Sequence, residues 1–170
     1  MKVAVWGAGD VGTALAYRLA TSPHVSELHW INRTVERIQS RVVDIEHGLP
    51  FAPTCHRVVP YGEGDASGAL EHTELVVLTQ GVPVKKGGSR AELWAQNRKI
   101  LQESAIPALR SQNVIVLVVS NPVDCLALLV HDEGGVADPD RRVLGLGTAV
   151  ETARLRPSLA DRLLVASREL

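Results

Sequence analysis

Short runs rich in β-branched residues alternate along the chain with longer amphipathic segments, the pattern of βαβ units feeding a parallel sheet. Lys2 to Trp6 reads as a first strand. A glycine turn follows, then a helix over about 10–20 with Val11, Ala14, Leu15 and Leu19 on one face, ended by Pro23. A second strand over about 27–31 leads into a helical stripe of Val35, Ile38, Val42 and Ile45 that stops at His47-Gly48. His56 to Pro60 forms a short third strand, and Gly62, Gly64 and Gly68 mark a loop with at most a brief helix. The pattern then restarts with strand Leu75 to Thr79, a polar loop Gly81 to Arg90, a helix to about Leu109 broken near Pro107, and strand Val114 to Val119. Past Asn121-Pro122 a helix carries Val123, Leu126, Ala127 and Val130, and a sixth short strand lies around 142–144. A last helix over about 148–164 contains Pro157, which should kink it or split it in two. Such a restart predicts two mononucleotide-binding halves. The fold class is α/β: a doubly wound parallel sheet of six strands in order 3-2-1-4-5-6, with right-handed crossovers and helices on both faces.

Gly7-Ala8-Gly9-Asp10-Val11-Gly12 is a GxGxxG placed directly after a strand and opening a helix. Gly7 permits the tight turn, Gly9 lets the backbone approach a pyrophosphate, and Gly12 lets helix and strand pack closely. The helix N-terminus adds free N–H groups and partial positive charge. The whole chain therefore reads as one dinucleotide-binding domain of Rossmann type, residues 1–170. At the end of the second strand, where this fingerprint expects Asp or Glu for the adenine ribose, stand Asn32 and Arg33. Asparagine removes the charge that repels a 2′-phosphate, and Arg33 can pair with that phosphate or stack on adenine. The alternative is that Asn32 caps the following helix and Arg33 is solvated. The cofactor is NAD or NADP.

Charge narrows the partners. With 18 Lys+Arg against 19 Asp+Glu, net −1, the chain lacks the basic footprint of a duplex-binding domain, and nucleic acid is not expected. The apolar run Val114 to Val119 falls far short of the ~20 residues that span a bilayer, so no membrane partner is expected. Met1 to Trp6 is too short an apolar run for a secretory signal, and a cytoplasmic location follows as the expectation. Cys55 and Cys125 lie far apart without a CxxC, which argues against a disulfide framework or zinc site, and Cys125 reads as a small core residue. His24, His29, His47, His56, His72 and His131 show no ligand spacing and read as surface or cap residues; no metal is expected.

Further segments occur in order with the glycine fingerprint: Asp44-Ile45-Glu46-His47-Gly48, then Gly81-Val82-Pro83-Val84-Lys85-Lys86-Gly87-Gly88-Ser89-Arg90 followed by Asn97, then Val119-Ser120-Asn121-Pro122-Val123-Asp124, then Thr148 to Arg154. In that order and spacing the chain resembles the lactate/malate dehydrogenase family over nearly its whole length. The resemblance implies an oxidoreductase that moves a hydride between a nicotinamide cofactor and a small 2-hydroxy or 2-oxo acid. It implies that Gly81 to Arg90 closes over the substrate, that Arg90 polarises the carbonyl, that Asn121 hydrogen-bonds the same oxygen, and that Arg154 holds the substrate carboxylate in a two-pronged pair. It adds Thr79, Gly81, Asn97, Val119 and Asn121 to the cofactor contacts. It also implies a homo-oligomer, dimer or tetramer, partly through the helix after the second strand, although packing on the parent sheet already explains that helix's stripe.

Departures from the family pattern bear on chemistry. Val84 stands where lactate-specific members carry Gln and malate-specific members Arg. A Val cannot pair with the second carboxylate of oxaloacetate, which favours pyruvate or a 2-oxo acid with an apolar side chain, unless Lys85 or Lys86 swings inward. Glu151 replaces the Asp that orients the family's catalytic histidine, with a longer reach. Gln80 replaces a small residue, and nothing in the sequence accounts for it. None of the six histidines matches the family's acid/base position, and the substrate-binding half is not among these 170 residues. By themselves they are expected to transfer little or no hydride. Two other readings stay open: a free-standing NAD(P)-binding sensor without chemistry, against which Arg90, Asn121 and Arg154 speak, and an NAD-requiring glycosidase, against which Gly87-Gly88-Ser89-Arg90 speaks.

Overall fold

Consecutive residues of a strand point to opposite faces of its sheet, and here both faces are covered. The computed structural model describes residues 1–51, 57–84, 87–110, 112–135, 143–166 and 168. The described strands are β1 (Lys2–Trp6), β2 (Glu27–Asn32), β3 (Arg57–Gly62), β4 (Leu75–Leu78), β5 (Ile115–Val118) and β6 (Val143–Gly145). They form one parallel sheet in the order β3-β2-β1-β4-β5-β6, as the sequence pattern predicts. Pro60 lies within β3, which is tolerable because β3 is an edge strand.

On β1, Val3 and Val5 pack with Leu28 and Trp30 against α1 (Asp10–Ala20) and α2 (Glu36–Gly48). Ala4 and Trp6 face the other way, into a core shared with α3 (Ala66–Leu70), α4 (Arg90–Glu103), α5 (Ala105–Leu109) and α6 (Val123–Glu133). The α2 stripe is as expected, with Ile38, Val42 and Ile45 buried and each contributing about 1.5–3 kcal/mol. By contrast α7 (Ala149–Leu163) buries only Ala160 and leaves Leu155, Leu159 and Leu163 exposed.

Several expectations need correction. The sheet-facing stripe of α1 is Gly12, Ala16 and Ala20, small because the helix lies close to the sheet; of the expected face, Leu15 and Leu19 pack at the edge of the core and Val11 and Ala14 are exposed. The break expected near Pro107 is found in the long helix three residues earlier, at Ser104. Pro107 lacks the N–H that would bond the Glu103 carbonyl, so the regular ladder stops at Glu103. Pro157 does not split α7. The Ala153 carbonyl it leaves without an amide partner lies in an exposed stretch, where water can satisfy it. Cys125 is exposed on α6, whose buried face is Leu126, Leu129 and Val130. Cys55, His56 and Arg142 lie outside the described residues.

His29 is buried, not a surface residue. Its Nδ1 meets the Ala69 carbonyl and its Nε2 the Glu27 carboxylate, and its ring packs obliquely on Tyr61. The hydrogen bond to His29 lowers the Glu27 carboxyl below its ordinary value of 4.5, with smaller help from the charges of His29, Lys2 and Arg57. A lowered folded-state pKa means the stabilisation is present above the ordinary carboxylate range and is lost as pH falls through the lowered value. Urea midpoints measured from pH 7 downward should therefore fall more steeply for the native protein than for Glu27→Gln; identical slopes would exclude this contribution.

Candidate functional site

The glycine turn is fixed by its neighbours before any ligand is considered. Gly7 has φ +120°, donates its N–H to the Ile31 carbonyl at 2.9 Å, and accepts the buried Trp30 Nε1–H at 2.9 Å. A Cβ on Gly7 would lie 2.8 Å from the Gln80 nitrogen, and one on Gly12 would press on the Gly7 carbonyl and on Thr79 Oγ1. A Cβ on Gly9 would meet nothing within 4 Å. The space above Gly9 is therefore a cradle that only an absent side chain leaves open, at the start of α1 where the first N–H groups have no partner within the helix. Arg41, half-buried on α2, donates to the Ala8 carbonyl at 3.1 Å and to Thr13 Oγ1 at 2.6 Å, tying the loop to the next helix.

Two cavities flank this loop. One, of about 330 Å³, is lined by Gly7, Ala8 and Gly9, by Asn32, Arg33 and Arg37 at the end of β2 and start of α2, and by Thr79, Gln80 and Gly81. Glu63, Glu103 and Ser104 close its far wall. Asn32 does not cap α2: its Nδ2 donates to the Thr34 carbonyl at 2.8 Å, and the N-cap position is Val35. The second cavity, of about 420 Å³, is lined by Gly9, Asp10 and Val11, by Thr79, Gly81 and Val84, and by Asn97, Val119 and Asn121.

Loops after β4 and β5 form the floor. Asn97, 2% exposed on α4, accepts the Val82 N–H at 2.8 Å and donates to the Asn121 carbonyl at 2.7 Å. Ser120 Oγ donates to the Gln80 carbonyl at 2.5 Å, and Thr79 Oγ1 to the Trp6 carbonyl at 3.0 Å. The Gln80 side chain, unexplained by the sequence, reaches the break between α4 and α5, donating to Ser104 Oγ at 2.6 Å. The α4 N-terminus is set by a reciprocal capping box of Ser89 and Glu92, a signal legible in the sequence as Ser-x-x-Glu.

The sequence-selected residues do not all converge. Gly7, Ala8, Gly9, Asp10, Val11, Asn32, Arg33, Thr79, Gly81, Val84, Asn97, Val119 and Asn121 line one or both cavities, with Gly12 beneath them. Arg90 is exposed at the start of α4, and Glu151 and Arg154 are exposed on α7; none of the three lines either cavity. Lys85 and Lys86 lie outside the described residues. Arg37 and Arg41 were missed. Polar positions of an amphipathic helix read as solvated, and no sequence signal tells which of them reach a loop. Among the described residues no group of His, Cys, Asp and Glu could hold a metal, and no helix is long and apolar enough to cross a membrane.

Comparison with known proteins identifies this architecture. Residues 1–145 match the family described as the lactate/malate dehydrogenase NAD-binding domain. The L-lactate dehydrogenase of Kosmotoga olearia is 35% identical over 162 residues, covering 95% of this chain and 48% of that protein. The L-lactate dehydrogenase of Acetivibrio thermocellus is 33% identical over 170 residues, 99% of this chain and 51% of its own length. Among solved structures, a lactate dehydrogenase from a Medee basin deep-sea metagenome library superposes with a TM-score of 0.83 at 34% identity, over 98% of this chain and 52% of that one. The malate dehydrogenase of Salinibacter ruber does so with a TM-score of 0.83 at 25% identity, over 99% and 52%. The chain spans about half the length of the curated relatives it matches. Sheet order, glycine cradle and sequence similarity agree: the chain belongs to the lactate/malate dehydrogenase family, in its NAD-binding domain.

Proposed function

We propose that this chain is the cofactor domain of a dehydrogenase acting on a small 2-hydroxy or 2-oxo acid with an apolar side chain. The supporting observation is that Val84 and Asn121, substrate-side positions by family pattern, line the same 420 Å³ cavity as Gly9, Asp10 and Val11 of the glycine loop. The bound nicotinamide supplies or accepts the hydride. The chain's own residues do the rest. The α1 N-terminus and the open face of Gly9 hold the pyrophosphate. Asn97 keeps the loops bearing Val82 and Asn121 at fixed separation, so that the Asn121 side chain can donate to the substrate oxygen as negative charge builds there. Arg90 and Arg154 join this site when the loop over 81–90 and α7 close on substrate, Arg90 at the carbonyl and Arg154 at the carboxylate, with Glu151 orienting a histidine acid/base.

None of the described histidines lines either cavity, so the 170 residues alone turn over little or no substrate while still binding dinucleotide. Assembly as a homodimer or tetramer belongs to the same reading, and so does the absence of nucleic acid and membrane partners. That Arg90, Glu151 and Arg154 line neither cavity is what favours the second reading, a dinucleotide-binding regulatory domain.

Protein purified from its own cells and assayed with a series of 2-oxo acids should reduce pyruvate or an apolar homologue and not oxaloacetate. Val84→Arg should raise the kcat/KM ratio of oxaloacetate to pyruvate at least tenfold, since a guanidinium pairs with the second carboxylate. Dinucleotide binding without turnover on any 2-oxo acid would instead establish the regulatory reading.

A further inference from the structure

We propose that the β2 end of the 330 Å³ cavity is built for an adenosine 2′-phosphate, so that the chain favours NADP(H) over NAD(H); this rests on reading that cavity as the cofactor site. A carboxylate at the end of β2 would accept both ribose hydroxyls and repel a phosphate. Asn32 carries no charge, and one side of its amide is spent on the Thr34 carbonyl, which leaves a single acceptor oxygen. Arg33 follows it directly and Arg37 lies one turn further, and both line the cavity with exposed side chains.

The cavity's two arginines match its two carboxylates in number, but no ion pair joins them among the described residues. Its carboxylates are engaged by their own neighbours: Glu63 accepts the Trp6 Nε1–H at 3.2 Å, and Glu103 lies 3.7 Å from Lys99 Nζ. Among the described residues neither Arg33 nor Arg37 forms an ion pair. Their placement also runs against the fold's own electrostatics. Arg33 precedes the N-cap of α2 and Arg37 lies in its first turn, at the positive end of its dipole, where carboxylates are favoured and cations are not. A phosphate dianion between them would relieve that repulsion and could take two N–H donors from each planar guanidinium.

Calorimetric titration of the whole protein with adenosine 2′,5′-bisphosphate and with 5′-AMP, which differ only in the 2′-phosphate, separates the claims without any turnover. The bisphosphate should bind at least tenfold more tightly, and the preference should shrink as salt rises. In the double variant Arg33→Ala, Arg37→Ala the two ligands should bind within about twofold of each other. Asn32→Asp should lower bisphosphate affinity and raise that of 5′-AMP. Equal binding of the two ligands to the native protein would overturn the 2′-phosphate assignment and leave the cavity as the cofactor site. Binding of neither would overturn both.

Discussion

Gly12→Ala should lower stability by about 3 kcal/mol, whereas Gly9→Ala should leave stability intact and abolish most of the dinucleotide affinity. The two glycines stand three residues apart in one motif, and both are written the same way in the fingerprint. Their surroundings differ completely. A Cβ on Gly12 would press on the Gly7 backbone carbonyl and lie 2.6 Å from Thr79 Oγ1. That carbonyl is already held by Trp30 Nε1, and Thr79 Oγ1 by the Trp6 carbonyl, so neither can retreat without moving α1 off the sheet. For a domain of this size about 3 kcal/mol corresponds to a fall in Tm of roughly 6–12 °C. Gly9 has φ −73° and ψ −175°, extended backbone that alanine adopts freely, and its Cβ would meet no protein atom within 4 Å. Alanine there should be neutral or slightly stabilising, because it restricts the unfolded chain. It would nonetheless occupy the cradle, and an affinity loss of at least tenfold, about 1.4 kcal/mol, is expected by titration. A Gly9→Ala protein that melts early, or that binds dinucleotide normally, would refute the cradle.

The contrast shows which parts of the fold are legible in a sequence. Elements whose pattern is set by period and punctuation came through: strand order, the α2 stripe of Ile38, Val42 and Ile45, and the glycine turn in its strand-to-helix setting. Elements set by distance did not. The α1 face was legible only in part: Leu15 and Leu19 pack at the edge of the core, but close approach to the sheet selects Gly12, Ala16 and Ala20, and a search for large apolar residues overlooks small ones. His29 is buried because an acceptor from α3 and a carboxylate two residues away satisfy both ring nitrogens, and only the Glu27 half of that pairing is visible locally. In the site, the loop positions were legible one by one, but the ties between them were not: Arg41 to Ala8 spans 33 residues and Gln80 to Ser104 spans 24. Arg90, Glu151 and Arg154 carry family pattern without local convergence, since α4 begins and α7 runs at the protein surface.

Asn97→Leu should cost about 1–3 kcal/mol, the second large effect, and Asn97→Asp should cost a similar amount near neutral pH but recover on acidification. Leucine has the same number of side-chain heavy atoms, though its methyl groups are bulkier than the amide, and it leaves the Val82 N–H and the Asn121 carbonyl without the partners they have at 2.8 and 2.7 Å. Val82 and Asn121 are themselves exposed, so water takes up part of what is lost, and each bond is worth a net of about 0.5–1.5 kcal/mol. Aspartate keeps an acceptor for Val82 but sets a second oxygen against the Asn121 carbonyl, at a residue 2% exposed. Burial and that facing oxygen raise the folded-state pKa of the introduced acid above its unfolded value of about 3.9. A raised folded-state pKa means the stabilising form is the protonated one, fully present below the unfolded value and lost as pH rises through the folded one. Protonated aspartate can donate to Asn121 as the amide does. Relative to the native protein, measured at each pH to cancel the acid sensitivity of Glu27, the Asn97→Asp deficit should therefore shrink steadily toward pH 4. The same variant separates the two cavities. Asn97 lines the 420 Å³ cavity and not the adenosine-side one, so at neutral pH its loss should weaken the complete dinucleotide more than 5′-ADP. Equal weakening of both ligands would mean that Asn97 acts on the domain as a whole and not on the loops that carry Val82 and Asn121.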